Sequence, residues 1–172
     1  FVGSLIPRKG AHTLIQAASI LRNKGLDFRI MVVGDGYQKG ELLRLIKNED
    51  LESIISLEGA KDSSQLLNYY NAADLFVLPS VSEGFSLVYL EAMLCGCPAI
   101  GTKGVADESI PSTEYGYLVP PYKASALAKA IEEGLQTEWD RERIIRYARY
   151  YDWTEKIADF ENVYLEVKIE GS

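Results

Sequence analysis

Short continuous runs of apolar residues alternate along this chain with longer segments in which apolar residues recur every three or four positions. The short runs predict strands buried on both faces, at residues 1–3, 28–33, 54–57, 75–78, 99–100 and 117–119. The longer segments predict helices at residues 11–24, 38–48, 63–71, 86–95, 125–135, 141–149 and 154–168. Gly25 and Gly96 are predicted to stop two of these helices, and Asp62 to cap another.

Strands that alternate with helices at this pitch predict a parallel sheet joined by right-handed crossovers. We therefore expect an α/β fold, a Rossmann-like three-layer αβα sandwich with a sheet of about six strands. Residues 1–150 are predicted to form this domain, and residues 151–172 a C-terminal helix. Ligands of such folds bind beyond the carboxyl ends of the strands, so the loops at that edge are the candidates for a site.

Composition and charge narrow the range of functions. The 172 residues carry a net charge of -7, which argues against a general nucleic-acid binder, because phosphate contacts need a basic face. Cys95 and Cys97 are too close in sequence for an ordinary disulfide and have too few partners nearby for a zinc site. We therefore expect two reduced cysteines in the core of a cytosolic protein.

Two loops carry residues suited to an anion or to close approach of a ligand. Arg8 and Lys9 precede the first predicted helix, whose N-terminus adds N–H groups and partial positive charge, although a solvated turn is the simpler interpretation of this pair alone. The sequence Gly34-Asp35-Gly36 lacks the spacing of a dinucleotide-binding motif, so we interpret it as a tight turn near a ligand rather than as an NAD site.

The loop before the helix at residues 86–95 is the most informative one. Gly84 permits a positive φ, and Ser86 can cap the helix. The N–H groups of Phe85, Ser86 and Leu87 would then face a ligand above the sheet, and a diphosphate satisfies such groups well.

Two carboxylates flank this helix start. Glu83 and Glu91 are eight residues apart, at most roughly 12 Å along a helix, which is about the distance from a ribose to a hexose across a diphosphate. Carboxylates suit pairs of sugar hydroxyls, because they only accept hydrogen bonds. Apolar neighbours surround Glu91, so we expect a largely buried helix in which this carboxylate has a partner, the alternative being a solvated helix face.

With these residues assembled, the chain resembles the C-terminal donor-binding half of the retaining glycosyltransferases of family four, which have the GT-B fold. The most specific part is the E-x7-E motif from Glu83 to Glu91, followed by Gly96-Cys97-Pro98. The other matching segments are Lys9-Gly10, Gly34-Asp35-Gly36, Leu57-Glu58-Gly59, Ala73-Asp74, Leu78-Pro79-Ser80, Gly104 to Glu108, Gly116 to Pro121 and Trp153.

The resemblance implies roles for individual residues. Glu83 would hold hydroxyls of the donor sugar, Lys9 and Arg8 would stabilise the leaving diphosphate, and Glu91 would accept from the ribose hydroxyls. The complete set of donor-binding candidates is Gly3, Ser4, Gly34, Ala60, Lys61, Gly84, Phe85, Ser86, Leu87 and Glu91. The implied donor is a UDP-, GDP- or ADP-linked sugar, transferred with retention of anomeric configuration and without a metal or other cofactor.

This chain departs from the family pattern at two places. Many relatives have an arginine where this chain has Ser4, which weakens the expected stabilisation of the leaving group unless Arg8 substitutes for it. Val105 and Asp107 replace a glycine and a proline of the family, so we expect a differently shaped loop on the acceptor side.

The resemblance also implies an N-terminal acceptor half that this sequence lacks. Since the sequence opens on Phe1 within a predicted strand, we expect residues upstream, and without the acceptor half we expect donor binding but no transfer. The implied location is cytoplasmic, and peripheral association with the inner face of the membrane through the absent half stays open. Two alternatives are a nucleotide-sugar-binding subunit of a split glycosyltransferase and a GT-B-like sugar-nucleotide epimerase.

Overall fold

The computed structural model describes residues 1–84 and 86–151. Phe85, Trp153 and the helix predicted at residues 154–168 lie outside the described residues. The same holds for the C-terminal segment predicted at residues 151–172, of which only Tyr151 is described.

Helices and strands alternate along the described chain in the predicted order, which confirms the α/β fold. They are a short 3-10 helix (Pro7–Lys9), α1 (Ala11–Asn23), β1 (Ile30–Val33), α2 (Lys39–Asn48), β2 (Ile55–Gly59), α3 (Ser63–Ala72), β3 (Phe76–Val77), α4 (Leu87–Leu94), β4 (Ala99–Thr102), β5 (Gly116–Val119), α5 (Ala124–Gln136) and α6 (Arg141–Arg149).

The described strands pair in parallel, as predicted, but they form two sheets rather than one sheet of about six strands. One sheet is β1-β2, and the other is β3-β4-β5. The strand predicted at residues 1–3 is reduced to one bridge, between Val2 and Val33, because the chain leaves the sheet at once for the loop that precedes α1. The strand predicted at residues 75–78 shortens to Phe76–Val77, and the one predicted at 99–100 extends to Thr102.

The helices form two groups that supply the outer layers of the sandwich. Helix α1 packs against α2 and α5, whereas α4 packs against α3 and α6. Burying a large apolar side chain stabilises the fold by about 1.5–3 kcal/mol. Fully buried large side chains come from helices, strands and loops alike, and they include Leu5, Leu14, Ile15, Leu21, Leu42, Leu78, Tyr89, Met93, Ile100 and Leu127.

Most of the predicted helix ends are confirmed. Gly25 and Gly96 have positive φ angles of 79° and 73° just beyond α1 and α4. The Asp62 carboxylate accepts a hydrogen bond from the N–H of Gln65, and the Gln65 side chain accepts one from the N–H of Asp62. This reciprocal pair satisfies two N–H groups at the start of α3 that the helix itself leaves without partners.

Both cysteines are free thiols, as the sequence predicts. Cys97 is fully buried in the core, and Cys95 is half-buried at the end of α4. Burial raises the pKa of the Cys97 thiol to about 12 and also raises the pKa of Cys95. The thiolate is the reactive form of cysteine, so burial and the raised pKa both protect Cys97 from chemical modification.

We therefore expect iodoacetamide at pH 8 to modify Cys97 in the folded protein far more slowly than Cys95. Peptide mass spectrometry after timed quenching gives both rates, and the same measurement in 6 M guanidinium, where the two thiols should react alike, is the control. Comparable rates in the folded protein would contradict the described burial of Cys97.

Candidate functional site

Two loops that are distant in sequence meet at the carboxyl end of β3. The N–H of Val81 donates to the carbonyl oxygen of Arg8 at 2.8 Å, and the hydroxyl oxygen of Ser80 lies at the same distance from that carbonyl oxygen. Gly10 makes this approach possible, because a Cβ atom there would overlap the carbonyl oxygen of Pro79. Gly10 also has a φ angle of 77°, which favours glycine.

The three residues predicted to be catalytic lie together in these loops. The Lys9 Nζ is 2.7 Å from Oε1 and 2.9 Å from Oε2 of Glu83, and the Ser80 hydroxyl donates to Oε1 at 2.5 Å. The Arg8 Nη1 is 3.9 Å from Glu83 Oε2 and donates to the carbonyl oxygen of Ser82. The exposed fraction is 7% for the Glu83 side chain, 14% for Lys9 and 52% for Arg8. The Lys9–Glu83 pair is therefore largely removed from water, whereas Arg8 is not.

Helix α4 begins at Leu87, directly beyond this cluster, and it is not capped as predicted. Ser86 occupies the N-cap position, but its side chain makes no capping hydrogen bond within the described part of the chain. The N–H groups of a first helical turn have no partners within the helix, so this end of α4 can offer them to an anion.

Gly84 does not adopt the positive φ that a glycine permits, since the positive φ angles of the described glycines lie elsewhere. The backbone forms a bend here without the left-handed conformation that favours glycine. A Cβ atom at Gly84 would meet nothing within 4 Å. The glycine therefore leaves open space next to Glu83 and the start of α4.

Glu91 has a partner, but the expected burial around it is only half right. Its Oε2 accepts a hydrogen bond of 2.8 Å from the hydroxyl of Tyr70 on α3. Tyr70 is buried, and burial followed by the contact with Glu91 raises its pKa. Glu91 itself is exposed, as are Leu87 and Leu94 on the same side of α4, so the carboxylate combines a fixed position with access to solvent.

Gly3 and Gly34 are predicted donor-binding residues whose N–H groups are used by the backbone. Gly3 donates to the carbonyl of Val33 at 3.0 Å, and Gly34 donates to the carbonyl of Gly59 at 2.9 Å. A Cβ atom at Gly34 would overlap the carbonyl oxygen of Gly3. Packing between these loops explains the glycine at position 34, and a contact with the donor stays a prediction, as it does for the exposed Ser4.

Ala60 and Lys61 follow β2 at the same edge of the fold. Ala60 is exposed, and the Lys61 Nζ lies 5.9 Å from the centroid of the Tyr69 ring. The Tyr69 hydroxyl donates to Glu58 at 3.0 Å. Hydrogen bonds from Ser56 and Tyr69 lower the pKa of Glu58. The two residues predicted to border the base therefore flank an ordered polar group, and their contact with a base stays a prediction.

Asp107, one of the departures from the family pattern, has a local structural role. Its carboxylate accepts a hydrogen bond from the N–H of Gly104, which has a φ angle of 83°. The loop after β4 is therefore fixed in part by the Asp107 side chain.

Sequence reasoning missed the residues that hold the predicted ones in place. Ser80 is fully buried and bonds to Glu83, and Tyr70 bonds to Glu91. A buried serine directly after a strand is a signal in principle, since a buried hydroxyl needs a partner. Nothing in the spacing of Tyr70 predicts its contact with Glu91, because the two residues lie on different helices.

Two cavities lie away from these residues. One of about 280 Å³ is bounded by Phe1, Ile30 and Phe76 at the amino ends of β1 and β3, and another of about 480 Å³ runs along β5. Neither is lined by Lys9 or Glu83. Within residues 1–84 and 86–151, no group of three or more His, Cys, Asp or Glu side chains could hold a metal ion, and no helix is both long and apolar enough to cross a bilayer.

Comparison with known proteins identifies the family. The parallel α/β architecture matches that of GT-B glycosyltransferases of known structure. The chain belongs to the family described as glycosyl transferases group 1, which matches residues 1–151. It is 31% identical over 156 residues to the amylovoran biosynthesis glycosyltransferase AmsK of Erwinia amylovora, a match that covers 86% of this chain and 38% of AmsK.

Solved structures agree with this assignment. The C-terminal domain of the glycosyl transferase group 1 family protein LpcC from Francisella tularensis is 30% identical, with a TM-score of 0.70 over 87% of this chain and 78% of that one. Anabaena HepE in complex with UDP is 28% identical, with a TM-score of 0.76 over 94% of this chain and 48% of HepE. The chain spans between about a third and a half of the length of the curated relatives it matches.

Gly10→Ala should destabilise the protein more than Gly25→Ala, although both glycines have nearly the same φ angle, 77° and 79°. At Gly25 a Cβ atom meets nothing within 4 Å, so only the left-handed backbone costs stability, about 1–2 kcal/mol. At Gly10 the overlap with Pro79 should add about 1–3 kcal/mol. Urea unfolding of both variants measures the difference, and equal losses would show that the two loops do not approach as described.

Proposed function

We propose that this chain is the donor-binding domain of a glycosyltransferase that transfers a sugar from a nucleotide-diphosphate sugar to an acceptor with retention of anomeric configuration. The observation that carries this proposal is the meeting of Glu83 and Lys9 with the uncapped start of α4 at the carboxyl end of β3. Acceptors for hydroxyls lie there beside donors for phosphates, which is the combination that a sugar diphosphate requires.

The diphosphate is proposed to bind at the start of α4. The N–H groups of Ser86 and Leu87 and the helix dipole favour negative charge there, and Phe85 is proposed to add a third N–H. Lys9 and Arg8 supply cations that stabilise the negative charge developing on the leaving group, an effect worth about 3–4 kcal/mol for one positioned donor. Protein cations in this position make a bound metal unnecessary for the proposed reaction.

The ribose is proposed to bind at Glu91. Its carboxylate is exposed and held in place by Tyr70, so it can accept hydrogen bonds from two neighbouring hydroxyls. The likeness to HepE, whose structure contains UDP, supports a nucleotide as part of the ligand.

Transfer is proposed to require a second half that binds the acceptor. An acceptor has to be held against the anomeric carbon while water is excluded, and one domain offers only one wall of such a site. The relatives are somewhat more than twice as long as this chain, which leaves room for that half. We propose that the described chain alone binds the donor and does not transfer it.

Thermal unfolding with a panel of UDP-, GDP- and ADP-linked sugars tests the proposal. A ligand at 100 times its dissociation constant should stabilise the protein by about 2.7 kcal/mol. Glu91→Ala should weaken nucleotide and nucleotide sugar alike, by about tenfold or more, because a charged hydrogen bond is worth about 1.5–3 kcal/mol. Glu83→Ala should lower the affinity that the sugar adds to the nucleotide, and it should not weaken binding of the nucleotide itself.

Glu132→Ala is the matched control for both variants, because Glu132 pairs with Lys24 beyond the far end of α1 from Lys9. It should leave binding unchanged. The absence of stabilisation by every nucleotide sugar would refute the donor site. Equal losses from Glu83→Ala and Glu91→Ala would refute the division between sugar and ribose.

Gly84→Ala should separate binding from folding. Stability should change by no more than about 0.5 kcal/mol, because a Cβ atom at Gly84 meets nothing within 4 Å. Binding of the nucleotide sugar found in the panel should weaken by about tenfold or more, about 1.4 kcal/mol, since the added methyl group occupies space proposed for the donor. Isothermal titration and urea unfolding give the two quantities, with Gly40→Ala on α2 as a control that should leave binding unchanged. Unchanged binding by Gly84→Ala would show that the donor does not approach this position.

A further inference from the structure

We propose that Glu83 is the counter-ion of Lys9 when no ligand is bound, and that a diphosphate binds Lys9 only by displacing the Glu83 carboxylate. The hydroxyls of the donor sugar then take the place of Lys9 at Glu83. This inference rests on the proposed function and deepens it, because it makes Glu83 the residue by which the site distinguishes a nucleotide sugar from a nucleotide without its sugar.

The first step is that Lys9 is already engaged. Its Nζ contacts both carboxylate oxygens of Glu83, at 2.7 Å and 2.9 Å, and an ammonium group has only three donors. With a side chain that is 14% exposed, Lys9 presents little of its charge to an incoming phosphate. Arg8 differs, because its side chain is 52% exposed and it lies 3.9 Å from Glu83, so it can meet a phosphate without breaking a close ion pair.

The second step is the state of Glu83 after Lys9 turns to a phosphate. The carboxylate would keep the hydrogen bond from the Ser80 hydroxyl to Oε1, while Oε2 would lose Lys9. At 7% exposure it has little water to replace that partner, and it would face the negative charge of the diphosphate. A partner that donates hydrogen bonds to Oε2 removes this penalty.

Sugar hydroxyls are such donors, whereas a fully ionised diphosphate has none. Glu83 therefore selects against sugar-free diphosphates by leaving its own charge without a partner when they bind. The same penalty favours release of the nucleotide after the sugar has been transferred.

Isothermal titration with inorganic pyrophosphate tests this directly, because pyrophosphate carries neither base nor sugar. Glu83→Gln should bind pyrophosphate about tenfold more tightly than the unaltered protein, since the competing anion is removed and the shape of the side chain is kept. Glu132→Gln removes one carboxylate from the exposed Lys24–Glu132 pair and changes the net charge equally, so its affinity should stay within about twofold.

Glu83→Asp provides a second variant, which keeps the charge but shortens its reach toward Lys9. Its affinity for pyrophosphate should lie between those of the unaltered protein and Glu83→Gln. If Glu83→Gln does not unfold cooperatively, the affinity of Glu83→Asp by itself tests the inference. Unchanged or weaker binding by the Glu83 variants, or equal tightening by Glu132→Gln, overturns the inference, as does a lack of pyrophosphate binding by every form.

The outcome is distinguishable from that of the proposed function. If no nucleotide sugar stabilises the protein but Glu83→Gln tightens pyrophosphate, the donor-binding proposal fails while the displaced counter-ion stands. If nucleotide sugars bind and Glu83→Gln leaves pyrophosphate unchanged, donor binding stands while the counter-ion is refuted.

Discussion

The carbonyl group of Arg8 joins the two halves of the candidate site. It accepts a hydrogen bond from the N–H of Val81 and is in contact with the hydroxyl of Ser80, and these contacts fix the loop before α1 against the loop after β3. Lys9 directly follows Arg8, and Glu83 comes two residues after Val81, so the junction brings their side chains within reach of each other. An exposed ion pair stabilises a protein by about 1 kcal/mol at most, whereas loss of one partner from a buried pair costs about 3–5 kcal/mol. Because the junction holds Lys9 and Glu83 where both are largely buried, their ion pair is closer to the buried case than to the exposed one.

The sequence predicts well what depends on local periodicity. Leu14 and Leu21 follow the helical repeat and are buried in α1, and Asp62 caps α3 through residues three positions away. The strands were harder to bound, because a run of apolar residues marks burial without marking where hydrogen bonding stops. The strand expected at the start of the chain shows this: its apolar residues Phe1 and Val2 are buried, yet only Val2 forms a bridge.

The sequence indicated which residues meet at the candidate site, but it did not predict which side chains hold them in place. The spacing of Glu83 and Glu91 led to the right helix start, but the partners of these carboxylates, Ser80 and Tyr70, come from other segments that only folding brings near. At Gly84 the sequence reasoning emphasised a property of glycine that the structure does not use. Its conformational freedom was expected to matter, whereas the structure shows ordinary φ and open space, so the absence of a side chain is the property that counts.

The parts of the site differ in how firmly they are held, and this difference fits two separate tasks. Helix α4 is fixed to the sheet, since the Tyr89 hydroxyl donates to the carbonyl of Leu78 at 2.6 Å and a Cβ atom at Gly101 would lie 2.9 Å from that hydroxyl oxygen. Its N–H groups therefore keep one orientation, and electrostatic stabilisation is strongest when dipoles need no reorientation. Lys9 and Glu83 satisfy each other instead, so their charges become available only when a ligand replaces both partners. In the proposed site, a ligand with phosphates alone would replace only the partner of Lys9, whereas a sugar diphosphate would replace the partners of both Lys9 and Glu83.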